Sequence, residues 1–242
     1  MILERIKRKI DPGMYIVPQT TPIIYFGNYD AAKACTVSLN PSNKEFVDNT
    51  KKLLDEKKAE RLCSRKMLKR ADNDELNDDE ARTVLRYCTD YFKLRPLKAW
   101  FEPFNYFIER YGNYSYYKDT CVHLDLVQWA TYEKWNNVPM SIKQKHLTND
   151  LPVLKYLLNK DFEIMFLNGT TVVENVRECL NITFKERSTV FKNANDVDTK
   201  LVIYHGEYNK MKVIGWNIYL QSAAAGGYEN KSILCDIIKK NT

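Results

Sequence analysis

A chain of 242 residues with 44% hydrophobic and 12% aromatic content is long enough for one large domain or two small ones and lies well inside the globular class. Its net charge of +6 permits nucleic acid as a partner without demanding it, and no apolar stretch reaches transmembrane length. Six cysteines with no CxxC pair and no Cys/His cluster argue against structural zinc and for reduced, mostly buried thiols in a cytoplasm; Met1-Ile2-Leu3-Glu4-Arg5 does not read as a signal peptide.

Residues 1–33 read as irregular, with Val17 to Pro22 an extended, Pro-bounded loop and Ile23 to Phe26 a short strand ending at Gly27-Asn28. Ala34-Cys35-Thr36-Val37-Ser38-Leu39 suits a strand buried on both faces. Pro41 offers no ladder donor and biases Asn40 towards an extended conformation, so the strand stops there. Asn40 then presents its amide at the strand's carboxyl edge, where open α/β sheets bind ligands. The ordinary alternative is a strand-to-helix turn capped by Ser42 or Asn43. From about 44 to 70 the chain reads as a long helix in which Arg61, Arg65, Lys66, Lys69 and Arg70 recur at spacings of one, three and four. Such a stripe is either a solvated face or a phosphate contact. The acidic run Asp72 to Glu80 reads as a linker, and Asn77 followed by Glu80 fits a capping box for a helix through Tyr91.

Sixteen tyrosines are a high count, and eight of them cluster with Phe and Trp between Tyr87 and Trp135. Within Trp100 to Tyr117, Phe104, Phe107, Ile108 and Tyr111 have helical spacing and predict a core-facing helix. Cys121 to Val127 reads as a second buried strand carrying two polar residues, His123 and Asp125. Burying Asp is expensive unless it is paired or sits at the strand's open end, so His123 and Asp125 are the most informative polar pair in the chain; taken alone, His123 fits a satisfied core histidine. Helices are expected at Ser141 to His146 and Leu151 to Leu158, then a third strand from Asp161 to Leu167 closed by Asn168-Gly169, and a helix from Thr170 or Thr171 to Leu180. Strands Leu201 to Tyr204 and Met211 to Trp216 flank a polar turn, and the second breaks into Asn217-Ile218-Tyr219-Leu220-Gln221-Ser222. A small-residue loop, Ala223 to Gly227, precedes a closing helix from Asn230 to Lys240. Strands alternating with helices predict an α/β fold with a mostly parallel sheet.

Three strand-edge segments stand in order: Leu39-Asn40-Pro41-Ser42, His123-Leu124-Asp125-Leu126 and Asn217 to Ser222. This arrangement resembles the uracil-DNA glycosylase superfamily. Its members share a first motif of the type Gly-x-Asn-Pro-Gly or Gly-Gln-Asp-Pro-Tyr, a base-reading Asn on a middle strand, and a late motif such as His-Pro-Ser-Pro-Leu-Ser or Asn-Pro-Ser-Gly-Leu-Ser. The likeness runs from about Val17 to the C-terminus. Ser38 replaces the first-motif Gly, the late motif keeps only Asn217 and Ser222, and Asp125 stands where most members have Asn. The resemblance implies a three-layer αβα sandwich, a single domain over 1–242 with a helical insertion at about 47–95, and a monofunctional DNA glycosylase that flips a base from duplex DNA and acts as a monomer with no cofactor or metal. In that reading Asn40 positions or polarises the hydrolytic water and Asn217 stabilises the developing charge. Phe46 stacks on the extruded base, with His123 and Asp125 beside its edge. Leu220 or Gln221 fills the gap in the duplex, while Ser42, Ser222 and the Pro18–Pro22 loop hold the backbone and Arg61, Arg65 and Lys69 meet phosphates.

Asp125 carries the sharpest inference about substrate. An Asn amide donates to uracil O4 and accepts from N3–H, whereas cytosine presents a donor at N4 and an acceptor at N3. A carboxyl accepts from N4 and, when protonated, donates to N3. Asp125 therefore points to a cytosine-type base, and a modified one, since excising plain cytosine would damage the host genome. The resemblance extends to anti-phage members that remove glucosylated hydroxymethylcytosine. The alternatives are a uracil-DNA glycosylase of base-excision repair, a non-catalytic DNA-binding or base-sensing module on the same fold, and an enzyme on free nucleosides or nucleotides.

Overall fold

The computed structural model describes residues 1–54, 61–193 and 195–242. The chain forms two compact units. The first comprises Met1–Tyr29, Leu39–Leu97 and Leu124–Leu158; the second comprises Asp30–Ser38, Lys98–His123 and Asn159–Thr242.

The second unit is built on β1 (Ala34–Ser38), α3 (Lys98–Gly112), β3 (Ile164–Asn168), α5 (Thr170–Leu180), β4 (Lys185–Lys192), β5 (Asp198–Tyr208), β6 (Met211–Trp216) and α6 (Tyr228–Lys240), and β2 (Cys121–Asp125) begins in it. The six strands run in the order β2-β1-β3-β6-β5-β4. β1 pairs with β3, and β3 with β6, in parallel, whereas β5 and β4 add an antiparallel edge. The expected α/β architecture with a mostly parallel sheet is therefore present. Val37, Leu167 and Gly215 are register partners on one face. A Cβ at Gly215 would lie 2.6 Å from Val173 Cγ2, so the missing side chain lets α5 pack closely there. Thr36, Phe166 and Ile214 share the other face. On that side Phe107 of α3 stacks on Trp216 with centroids 4.3 Å apart, and Tyr111 meets Phe166 edge-on at 5.1 Å. α6 packs beside α3, where Arg110 grips Asp236 through two hydrogen bonds. Helices on both faces make the unit compatible with a three-layer αβα sandwich. The aromatic spacing of α3 thus serves the core, as expected.

β4 escapes the sequence reading for a physical reason. Lys185-Glu186-Arg187-Ser188 is exposed and mostly charged, and Phe191 alone in the strand is buried, so no alternating pattern is imposed. A charged, solvated strand suits the sheet edge because it discourages pairing with another chain.

The first unit holds α1 (Ile2–Lys7), α2 (Asp78–Thr89) and α4 (Met140–Leu157). Asn77 and Glu80 form the expected reciprocal capping box at the start of α2. The two helices expected at 141–146 and 151–158 are one, continuing through Pro152. His146, Asp150, Val153, Leu154 and Leu157 bury a single helical face, and that packing outweighs the missing proline N–H. α1 was not anticipated; its Arg5 forms a buried ion pair with Asp150 of α4. Ile23 to Phe26 is buried but is not a strand, and Ile23 N–H donates to the Gln128 carbonyl at 2.7 Å.

The helix expected over 44–70 is not formed by the described residues of that stretch. They hold a 3₁₀ turn at Asn43–Glu45, an isolated antiparallel bridge between Val47 and Leu53, and turns and loop, with Lys51 and Lys69 in left-handed conformations at φ 62° and 56°. The part of that expected helix at 55–60 lies outside the described residues. No described helix is long and apolar enough to cross a membrane. Five of the six cysteines are buried and Cys179 is partly so, all as free thiols.

Candidate functional site

The site is built where the chain leaves β1 and β2. In the first unit the loop Leu39–Phe46 and the loop that follows Asp125 are laced together. Val127 N–H donates to the Leu39 carbonyl at 3.0 Å, and Asn43 Nδ2 donates to the Tyr132 carbonyl at 3.3 Å. Asn40 Nδ2 donates to Thr131 Oγ1 at 3.0 Å and to the Trp129 carbonyl at 3.5 Å. Thr131 gives its own hydroxyl proton to the Glu133 carbonyl at 2.7 Å, so it must accept from Asn40. This fixes which end of the amide is which. The half-buried Asn40 side chain is left with Oδ1 as an acceptor that takes no hydrogen bond among the described residues.

Five residues further on, Glu45 is 3% exposed. The Tyr91 hydroxyl donates to its Oε1 at 2.8 Å and Oε2 at 2.9 Å, while accepting from Leu97 N–H at 2.8 Å. Burial pushes the Glu45 carboxyl up to about 7. The Tyr91 hydrogen bond and the charge of Arg61 oppose that rise, and the nearby charge of Asp125 adds to it. Burial also raises Tyr91, which stays a neutral donor. Glu45 is therefore poised between neutral acid and carboxylate at neutral pH. Asp125, 4% exposed, ends β2, and its backbone carbonyl accepts from Gln128 Nε2 at 3.4 Å. Asn40, Glu45 and Asp125 thus belong to one neighbourhood. Sequence reasoning missed Glu45 because it put that residue at the exposed start of a helix; the available signal was a lone carboxylate beside Phe46-Val47.

The remaining first-unit candidates separate. Phe46 is buried, and Ser42 is exposed and caps the 3₁₀ turn by accepting from Lys44 N–H at 3.2 Å. In the Pro18–Pro22 loop, Thr20 and Thr21 are buried with their hydroxyls donated to the Val17 and Cys63 carbonyls. Arg61 donates to the Lys44 carbonyl at 2.9 Å. Arg65 is wholly buried, its guanidinium donating to the carbonyls of Arg8, Ala71 and Asp74. Lys69 is exposed on a turn. The expected basic stripe is not one face, because its central guanidinium faces inward to bind three loop carbonyls.

In the second unit, His123 is a packed core residue. Its Nδ1 lies 2.7 Å from Thr36 Oγ1, which lies 2.7 Å from the Tyr116 hydroxyl, and its ring sits 4.7 Å from Trp100 and 5.4 Å from Phe101. Asn217 has both amide ends occupied: Oδ1 accepts from Val202 N–H at 2.9 Å and Nδ2 donates to the Lys200 carbonyl at 2.9 Å. It extends the β5–β6 pairing past the end of β6. Leu220 is fully buried, so of the two residues expected to fill a duplex gap only Gln221 reaches the surface. Gln221 donates to the Trp100 carbonyl at 2.7 Å and accepts from Asn168 Nδ2 at 2.8 Å, and Asn168 Oδ1 accepts from Leu220 N–H at 3.0 Å. Ser222 donates to the Tyr219 carbonyl at 2.6 Å. Asn168, read from the sequence only as a strand end, is the organiser of this loop.

No protein-family model, curated protein or solved structure matches the chain. The resemblance to the uracil-DNA glycosylase superfamily rests on the three strand-edge segments themselves.

Proposed function

We propose that this protein is a monofunctional DNA glycosylase that extrudes a modified cytosine from duplex DNA and hydrolyses its N-glycosidic bond, working as a cytoplasmic monomer without a cofactor. The observation that carries this reading is the lacing of the two loops after β1 and β2, which gives one neighbourhood to Asn40, Glu45 and Asp125.

Each residue has a chemical task. The open Oδ1 of Asn40 accepts from a water and orients it at C1′. The C1′–N bond breaks with its electron pair leaving on the base, the water oxygen bonds to C1′, and Glu45 in its carboxylate form takes the water's proton. The sugar passes through an oxocarbenium-like state, so a placed acceptor and a nearby negative charge matter more than a strong nucleophile. A side-chain oxygen of Asp125 accepts from cytosine N4. Base flipping supplies access to a buried edge.

A second reading, a base-sensing module without catalysis, is favoured by Asn217. The amide expected to stabilise the leaving charge is held by the backbone of β5. One assay separates the two. Duplexes containing uracil, cytosine, hydroxymethylcytosine or glucosylated hydroxymethylcytosine are incubated with the protein and scored for abasic sites. Abasic sites in the modified-cytosine duplexes supports the glycosylase. Salt-dependent duplex binding without abasic sites supports the sensing module, and the absence of both removes DNA as the substrate.

A further inference from the structure

A cavity of about 280 Å³ opens in the first unit beside α1, and α4 contributes to its lining. We propose that it binds a phosphate-type oxyanion. This rests on side chains that the glycosylase chemistry does not use.

Arg5 is the cavity's buried cation. One of its terminal nitrogens is ion-paired with Asp150, and its guanidinium lies 5.4 Å from the centroid of the Trp129 ring, which also lines the cavity. Arg5 Nε–H is buried and finds no acceptor among the described residues. A guanidinium carries five donors in a rigid fork, and pairing with one carboxylate oxygen leaves donors over. A buried donor without an acceptor is costly, and an oxygen seated in the cavity would remove that cost.

The rim supplies more positive charge. Arg8 and Lys9 both line the cavity, both are exposed, and neither forms an ion pair among the described residues. Burial holds the Arg5 guanidinium below its usual range; Asp150 works against that, and the like charge of Arg8 adds to it. An anion among these cations turns an unfavourable neighbour into a favourable one. Asp11 and Glu75 also stand on the rim. They oppose a highly charged ligand, so the fit is to a single phosphate group rather than to a polyphosphate. His146 adds no charge, because burial lowers its pKa. The phosphate has two possible sources, a phosphodiester of a nucleic-acid strand or a free phosphate or phosphomonoester.

The test uses the full chain and the double variant Arg8→Gln with Lys9→Gln, two exposed side chains beyond the end of α1 whose loss spares the Arg5–Asp150 pair. The thermal-unfolding midpoint is followed against inorganic phosphate at ionic strength held constant with chloride. Wild type should show a saturable rise, and the double variant should need about tenfold or more phosphate for the same shift. Asp11→Asn should move the apparent affinity the other way. The proposal is overturned if phosphate does no more than chloride in wild type, or if the double variant responds as wild type does. Duplex binding then separates the sources. For a strand phosphodiester, the double variant weakens duplex binding on all sequences and lowers the salt slope by up to about two counterions. For a free phosphate, the double variant's phosphate response is weakened and its duplex binding is unchanged.

Discussion

Asn40 and Asn217 each sit just past the carboxyl end of a strand, one in each unit, and their sequence surroundings suggest the same kind of work. Their amides are used differently. Asn40 anchors its nitrogen on Thr131 and leaves Oδ1 open and half-exposed. Asn217 has its oxygen on Val202 and its nitrogen on Lys200, so it serves as one more rung between β6 and β5. A side-chain amide has a small, fixed set of donors and acceptors. What it can offer a substrate is what the protein has left unmatched, and by that measure Asn40 keeps an acceptor without a partner among the described residues while Asn217 has both amide ends engaged.

The strongest way to break this comparison is to delete both amides. Asn40→Ala should lower base release by roughly 10² or more, the scale of losing one positioned catalytic group, in a protein that still folds. Asn217→Ala should leave base release per folded molecule close to wild type. Single-turnover rates on a modified-cytosine duplex decide the matter, and a folded Asn40→Ala protein that turns over normally would reverse the assignment.

The neighbour of Asn40 sharpens it next. Glu45 titrates near 7 in the folded protein against an ordinary value of 4.5. Between those values the native state holds a proton that the unfolded chain has released. Its contribution is therefore fully present below about pH 4.5 and falls away as pH rises through 7, by roughly 3 kcal/mol in all. Urea midpoints measured from pH 4.5 to 7.5 should show this decline in wild type and a flatter profile in Glu45→Gln. An identical slope in the two proteins would mean that the Glu45 carboxyl ionises as an ordinary surface group.

Asp125→Asn tests the proposal that the Asn40 neighbourhood reads a cytosine-type base. Exchanging the carboxyl for an amide should move preference from a cytosine-type base towards uracil, by about 1–3 kcal/mol for each buried group left unpaired. The quantity is the ratio of base-release rates on matched duplexes, compared between wild type and variant. A wild type that already prefers uracil, or a ratio that does not move, sinks the cytosine reading.

The smallest effect belongs to Asn217 as a strand rung. Asn217→Ala removes one acceptor and one donor from the edge of β5, and chemical denaturation should register a loss of about 1 kcal/mol. No loss at all would show that the rung contributes nothing measurable and would weaken the contrast with Asn40.

What the sequence determined by itself are the features that depend on near neighbours. Pro41 ends the first strand, Asn77 and Glu80 cap α2, the aromatic spacing makes α3 a core helix, and Gly169-Thr170 opens α5. Each follows from torsions and donors within a few residues, so local pattern is enough. The same holds for placing Asn40 at a strand edge. The tertiary structure alone decided which polar groups are satisfied. Arg65 reads as part of a basic stripe until the carbonyls of Arg8, Ala71 and Asp74 surround it. Glu45 reads as a solvated helix start until Tyr91, 46 residues away, donates to both its oxygens and burial holds its proton. Asn217 reads as an open amide until β5 meets both its ends. A buried polar group takes its chemistry from the partners delivered to it, and those partners come from distant parts of the chain that no local pattern encodes.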